Sequence, residues 1–336
     1  MRITAKAPCR ADLAGGTLDI WPLYLFHANA VTVNVAIDRY ASCELDTRGD
    51  RRIELISRDL GREEAFDSLD ALAAAKRYRL PLLARLVRFF APATGITLRT
   101  NSEAPAGAGI AGSSTLIIAV ASALNRLTGR GFRLEQLREA AQNIEAQIIR
   151  VPTGCQDYYP AMYGGVSAIE LRVEGIVRKP IGVDHGDMNE RIALAYTGEP
   201  RESGINNWEV TKAHIDGDAV VYRNFDRIAA IARAMRGALE AGEWAEAGRL
   251  LREEWTHRKR NAPGITTPLI DRLVEATRRA GATGAKVCGA GGGGCVFFLC
   301  ERGAKGRVEE AIAREGALVL PARVATRGVS VKAIQK

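Results

Sequence analysis

Residues 103–115 read Glu-Ala-Pro-Ala-Gly-Ala-Gly-Ile-Ala-Gly-Ser-Ser-Thr. Gly107, Gly109 and Gly112 satisfy a G-x-G-x-x-G pattern, and Gly107 to Gly112 also has the G-x-x-x-x-G spacing of a Walker loop. Both familiar loops fail just beyond the last glycine. A Walker loop continues with Lys and then Ser or Thr, which meet phosphate and magnesium; here Ser113 and Ser114 stand in those places. A dinucleotide fold continues from its helix into a second strand ending in an acidic residue. Here the apolar stretch Ser114–Leu127 leads into another helix, with Leu134, Leu137, Ala141, Ile144 and Ile148 at steps of 3, 4, 3 and 4. The shared physics survives. Glycines let backbone N–H groups converge on a phosphate, and a helix N-terminus adds partial positive charge. Ser113 and Ser114 stand in the first turn, where a hydroxyl reaches a phosphate oxygen or magnesium. A glycine turn capped by serine is the plain alternative; three glycines and two serines opening a long helix favour phosphate.

Glu145 lies beside the apolar face of that second helix, near its end, and Val151-Pro-Thr-Gly-Cys-Gln-Asp157 comes next. Pro152 and Gly154 set a turn. The turn can bring two carboxylates toward the glycine loop, one to bind magnesium and one to orient a hydroxyl, as phosphoryl transfer requires. Taken alone, Asp157 is an ordinary turn residue and Glu145 a solvated helix charge; the preceding loop gives the pair its weight. A third element, Cys288-Gly-Ala-Gly-Gly-Gly-Gly294, sits between two apolar strands. A flexible hairpin would account for it, but so many glycines are costly to order, and a backbone approaching a ligand closely is the better reading.

Around these elements the chain reads as mixed. Val31–Ile37, Ala41–Leu45, Ile53–Ser57 and Ile96–Arg99 read as strands, and Pro81–Phe90 as a helix with proline in its first turn. The second half is more helical, with amphipathic segments near 221–240, 243–258, 268–280 and 305–315. At about 150 residues per domain, 336 residues make two domains, and the division is expected between 165 and 190.

Apolar residues make up 47% and charged residues 26%, which excludes a disordered tail, a fibre or a small disulfide scaffold. No apolar run reaches the length of a membrane span, and the opening MRITAKAPCRADLAGG lacks the apolar core of a secretory signal. The net charge of +8 is scattered; the densest stretch, Arg258-Lys259-Arg260, adjoins Glu253 and Glu254 without interleaved aromatics, so no nucleic-acid partner is expected. The six cysteines form no C-x-x-C pair, and His27, His185, His214 and His257 read as isolated, so buried thiols in a reducing cytoplasm are expected rather than zinc.

The three elements, in this order, resemble the GHMP kinase family. Ala7–Asp19 looks like its N-terminal substrate motif, Pro105–Thr115 like its phosphate loop, and Lys286–Cys295 like its C-terminal glycine motif. Within the family the likeness is to the sugar kinases related to D-glycero-D-manno-heptose 7-phosphate kinase, carried by Gly112-Ser113-Ser114, Gln156-Asp157, Tyr196-Thr-Gly and Trp255–Arg260. The resemblance implies an α+β, two-domain fold (1–175 and 176–336) with ATP and substrate in the cleft. It implies ATP on Pro105, Gly107, Ala108, Gly109, Ile110, Ala111, Gly112, Ser113 and Ser114, with Mg2+ held by Ser113, Ser114 and Glu145. Asp157 falls at the catalytic base beside Arg10. The sugar would meet Arg10, Gly15, Gly16, Thr17, Asp19, Asp157, Gly291 and Gly292. Galactokinases carry an acidic residue and His where Gly16 and Thr17 stand, which argues against galactose. The expected activity is phosphorylation of the anomeric hydroxyl of a sugar. Arg10 and the basic charge point to an acidic one, a heptose 7-phosphate or a hexuronic acid such as glucuronate. A neutral-sugar kinase and a non-catalytic sugar sensor are the alternatives; a nicotinamide oxidoreductase lacks its second strand.

Overall fold

The computed structural model describes residues 1–199 and 203–334. Its strands, in chain order, are β1 (Arg2–Ala14), β2 (Val31–Thr47), β3 (Ile53–Ser57), β4 (Arg62–Phe66), β5 (Ile96–Ser102), β6 (Val166–Arg172), β7 (Gly175–Ile181), β8 (Ile192–Tyr196), β9 (Ala282–Val287), β10 (Cys295–Cys300), β11 (Leu318–Leu320) and β12 (Ser330–Ile334). The helices are α1 (Leu69–Ala74), α2 (Pro81–Phe90), α3 (Gly112–Thr128), α4 (Leu134–Ile149), α5 (Tyr158–Tyr163), α6 (His185–Asn189), α7 (Ser203–Ile215), α8 (Ala219–Glu240), α9 (Trp244–Arg258), α10 (Pro268–Ala280) and α11 (Lys305–Arg314).

Among the described residues the strands form two sheets. One runs β12-β1-β2-β5-β3-β4, with β6 pairing both β2 and β7; the other runs β11-β8-β10-β9. All pairs are antiparallel except β3 with β5. The expected division at 175/176 therefore falls inside the β6–β7 hairpin, and β12 returns to the first sheet. Contacts with β1 that distant do not show in local pattern.

The two short strands expected at Val31–Ile37 and Ala41–Leu45 are one strand, β2: β6 pairs with its first part, β5 with its second, and β1 with both, the β1 ladder skipping Asp38 and Arg39 at its register irregularity. β1, which local sequence pattern does not single out as a strand, changes its packing at the register irregularity between Pro8 and Cys9. Before it, Ile3, Ala5 and Ala7 join the core beneath α3; after it, Cys9, Ala11 and Leu13 join a second core with α8, α9 and β10. Alternation then puts Arg10 and Asp12 together on the face opposite Cys9 and Ala11. Helix α3 is buried along nearly every face, as an apolar helix between a sheet and two other helices must be. A third core lies under α10 and α11.

One sequence expectation needs correcting. His27 and His214 are not isolated: their Nε2 atoms lie 2.8 Å apart, and His27 Nδ1 is 2.7 Å from Asp226 Oδ1. The pairing joins the loop before β2 to α7 and α8, across a separation no local pattern reports. Arg258, the first residue of the densest basic stretch, is 4% exposed. The cysteines are all buried, and burial pushes the Cys9 and Cys43 thiols up to about 12. No described helix is long and apolar enough to cross a membrane.

Candidate functional site

A cavity of about 500 Å³ opens beside the glycine loop. Pro105, Gly107, Ala108, Gly109, Ala111, Gly112, Ser113 and Ser114 line it, as do Glu145 and Asp157. Ile110 turns instead into the second core, and its carbonyl accepts the Arg10 backbone N–H at 3.1 Å. Gly107 and Gly109 have φ of 69° and 78°, the left-handed region that glycine enters without strain. Gly112 does not: it opens α3, and the left-handed residue is its neighbour Ala111, φ 64°. A Cβ on Gly112 would lie 3.1 Å from Ala104 Cβ, so close packing is its constraint. No side chain caps α3 and its first turn holds no acidic residue, leaving that helix end chemically suited to an anion.

Ser113 and Ser114 meet Glu145 across the α3–α4 contact. Ser113 Oγ donates to Glu145 Oε1 at 2.6 Å and Ser114 Oγ to Oε2 at 2.9 Å. Tyr158 Oη, from the first turn of α5, donates to the same Oε2. Burial raises the Glu145 pKa, and the hydroxyls of Ser113 and Tyr158 pull it back. Glu145 is thus no solvated helix charge; it is 6% exposed. Oxygen-only donors with a single carboxylate suit a hard cation that keeps water and phosphate ligands, which is how Mg2+ is held.

Asp157 immediately precedes α5. Arg10 Nε and Nη2 donate to its Oδ1 at 2.9 and 2.6 Å, while Arg10 Nη1 donates to Gly109 O at 2.7 Å and Cys288 O at 2.6 Å. One guanidinium therefore ties the glycine loop, the C-terminal glycine motif and Asp157 together. Against the expectation for Arg10, four of its five N–H donors are spent within the protein, and it does not line the cavity. Among the described residues Asp157 Oδ2 accepts no hydrogen bond, and the side chain is 26% exposed.

Asp19 lies close behind. Its Oδ2 accepts the Gln156 N–H at 2.8 Å, and a Cβ on Gly154 would fall 2.1 Å from that oxygen, so Gly154 is required by contact. Burial pushes the Asp19 carboxyl up to about 7, the Gln156 N–H opposes this, and Asp157 and Asp12 add to it. Gly15, Gly16 and Thr17 form the turn leading to Asp19. Gly291 and Gly292 sit against Ile265, whose carbonyl accepts the Gly292 N–H at 2.9 Å; it is Cys295 that reaches the glycine loop, donating to Ala108 O at 2.6 Å.

Several participants carry no signal of their own in the sequence. Tyr158 can be suspected there only as the neighbour of Asp157. The far wall of the cavity comes from Ser57, Asp59 and Arg62 around the β3–β4 turn and from Arg79 to Leu83 at the start of α2, segments without a motif. Asp12, Glu254 and Lys286 are buried charges in otherwise unremarkable stretches.

The family description "GHMP kinases N terminal domain" matches residues 72–165 and "GHMP kinases C terminal" matches 235–318, together more than half of the chain. The D-glycero-alpha-D-manno-heptose 7-phosphate kinase of Campylobacter jejuni is 26% identical over 320 residues, 93% of this chain and 94% of that one. The L-fucokinase/L-fucose-1-P guanylyltransferase of Bacteroides fragilis is 24% identical over 331 residues, 89% of this chain but 34% of that one, so the chain spans about a third of that longer relative. The crystal structure of a D-glycero-D-manno-heptose 1-phosphate kinase from Bacteroides thetaiotaomicron superposes with a TM-score of 0.79 at 22% identity, covering 99% of this chain and all of that one.

Proposed function

The chain belongs to the GHMP kinases, and from that premise we propose that it transfers a phosphoryl group from ATP to the anomeric hydroxyl of a sugar. The observation that carries the reading is the meeting at one cavity of the uncapped α3 N-terminus, the Ser113–Ser114–Glu145 oxygens and the Arg10-bound Asp157. Backbone N–H groups at the start of α3 would bind the phosphates. Ser113, Ser114 and Glu145 would hold Mg2+, which neutralises phosphate charge when bound. Arg10 fixes the Asp157 carboxylate, and Oδ2 accepts the proton of the attacking sugar hydroxyl. The hydroxyl oxygen bonds to the γ-phosphorus as the bond to ADP breaks. Asp19 would accept or donate a hydrogen bond to a second hydroxyl. An ATP-dependent reaction of this kind fits a cytoplasmic setting.

The acidic-sugar reading rests on the heptose 7-phosphate kinase relative, not on Arg10, and a hexuronic acid loses its support with Arg10. The fucokinase relative favours a neutral 6-deoxyhexose as the second reading. ADP release measured over heptose 7-phosphate, fucose, galactose and glucuronate tests both. We expect the highest kcat/KM on the heptose 7-phosphate. A higher value on fucose would replace the acidic substrate by a neutral one, and sugar binding without ADP release would replace the kinase by a sensor.

A further inference from the structure

Lys286, in β9, is fully buried, with its Nζ 2.8 Å from Asp12 Oδ2 and 2.9 Å from Glu254 Oε1. Arg258, one helical turn after Glu254 on α9, holds Nη1 3.8 Å from Asp12 Oδ2 and 3.6 Å from Glu254 Oε1. Two cations and two anions, none more than 4% exposed, make a neutral cluster. Stability alone does not account for it, because well-packed apolar residues of the same volume often serve as well or better than buried ion pairs.

The other contacts of Arg258 show what the cluster holds. Nη1 donates to Gly16 O at 2.7 Å, and Nη2 donates to Thr17 Oγ1 at 2.9 Å and Gly289 O at 3.0 Å. The turn so gripped is not a relaxed one. Gly15 has φ of 87° and Thr17 φ of 73°, and a β-branched residue in the left-handed region is an outlier. Gly16 is confined as well: a Cβ there would lie 2.1 Å from Asp12 Oδ2 and 2.9 Å from Arg258 Nη1. From this turn the chain reaches Asp19 two residues on, and Asp12 lies two residues from Arg10 on the same strand face. The cluster therefore borders both groups that flank Asp157.

We propose that Arg258 is a positioning residue for the sugar side of the site, its guanidinium, balanced by Asp12, Glu254 and Lys286, holding the Gly15–Thr17 turn and the Gly289 carbonyl in one arrangement. The effect on sugar rests on the kinase reading above; the effect on the turn does not. Lysine at this position keeps the charge but presents no planar fork to three acceptors on two loops.

The test is Arg258→Lys, read first by amide hydrogen exchange in the ligand-free protein. The Leu18 and Ile20 amides, which donate to Gly15 O and Thr17 O, should exchange at least tenfold faster, while the Thr115 amide, donating to Ala111 O in α3, should not change. With sugar and ATP, the sugar KM should rise at least tenfold and the ATP KM stay within twofold. Unchanged exchange at Leu18 and Ile20, or a sugar and ATP KM rising together, overturns the proposal. If the wild type turns over no sugar, the kinase reading fails and the exchange rates still decide the role of Arg258. Should Arg258→Lys not fold, Thr17→Val removes one acceptor and leaves the cluster intact. It should then speed exchange at Leu18 about threefold, and no change there again overturns the proposal.

Discussion

On one side Asp157 borders a cavity that the glycine loop, Ser113 and Ser114 share with the β3–β4 turn and the start of α2. On the other stand Arg10, Asp12, Asp19, Glu254, Arg258 and Lys286, charged side chains all buried and bonded inside the protein. The open side leaves a helix end and oxygen donors for a charged ligand that must arrive and depart. The closed side is fixed in advance, so that the proposed reaction would need little reorganisation there. Asp157 belongs to both, because Arg10 ties its carboxylate to the Gly109 and Cys288 carbonyls.

The largest effect should come from the shared residue. Asp157→Asn is expected to lower turnover by roughly two to four orders of magnitude, the range for lost general-base assistance, with ATP affinity within twofold in a direct titration. Near-normal turnover would remove proton abstraction by Asp157. Next is Gly109→Val, which acts on the open side first and reaches Asp157 only through the Gly109 carbonyl that Arg10 holds. At φ of 78° a β-branched residue is strained, costing about 1–3 kcal/mol, and its side chain blocks the backbone. Calorimetry should show ATP affinity down at least tenfold and a melting temperature lower by several degrees; unchanged ATP affinity would take the phosphate role from this loop.

That the glycine loop was legible in the sequence, whereas the buried charge cluster was not, has a physical cause. Gly107, Gly109, Ser113 and Ser114 act through spacing within one loop and one helix turn, and Glu145 through the periodicity of α4. Asp12, Glu254, Arg258 and Lys286 meet only because β1, α9 and β9 pack together, and sequence separation hides that. The Arg10–Asp157 pair stood in motifs that the family resemblance brought together, but its hydrogen bonds, which tie Arg10 to Asp157, Gly109 and Cys288, required the fold. The same holds for β12, whose pairing with β1 crosses nearly the whole chain.

A smaller effect is expected for Glu145→Gln, which keeps the shape but removes the anionic oxygen a hard cation prefers. The Mg2+ concentration for half-maximal turnover should rise roughly tenfold, the scale of one charged contact. An unaltered requirement would place the metal elsewhere. The smallest expected effect is on stability rather than turnover and concerns Asp19. Its carboxyl titrates at about 7 in the folded chain against an ordinary 3.8, so both states are protonated below about pH 4. Between the two values the unfolded chain releases a proton the folded one keeps, and stability falls as pH rises, fully by about pH 7. Asp19→Asn does not ionise, so its melting temperature should lack this decline and exceed the wild type more at pH 8 than at pH 4. A constant gap between the two would show that Asp19 ionises as freely folded as unfolded.

The most direct measurement of the central claim is 31P NMR of the product formed from ATP, Mg2+ and heptose 7-phosphate by the wild type and by Asp157→Asn. The account predicts ADP together with a new phosphate resonance coupled to the anomeric proton in the wild type, and neither at a comparable rate in the variant. A phosphate on any other carbon, or equal product from both proteins, would contradict it.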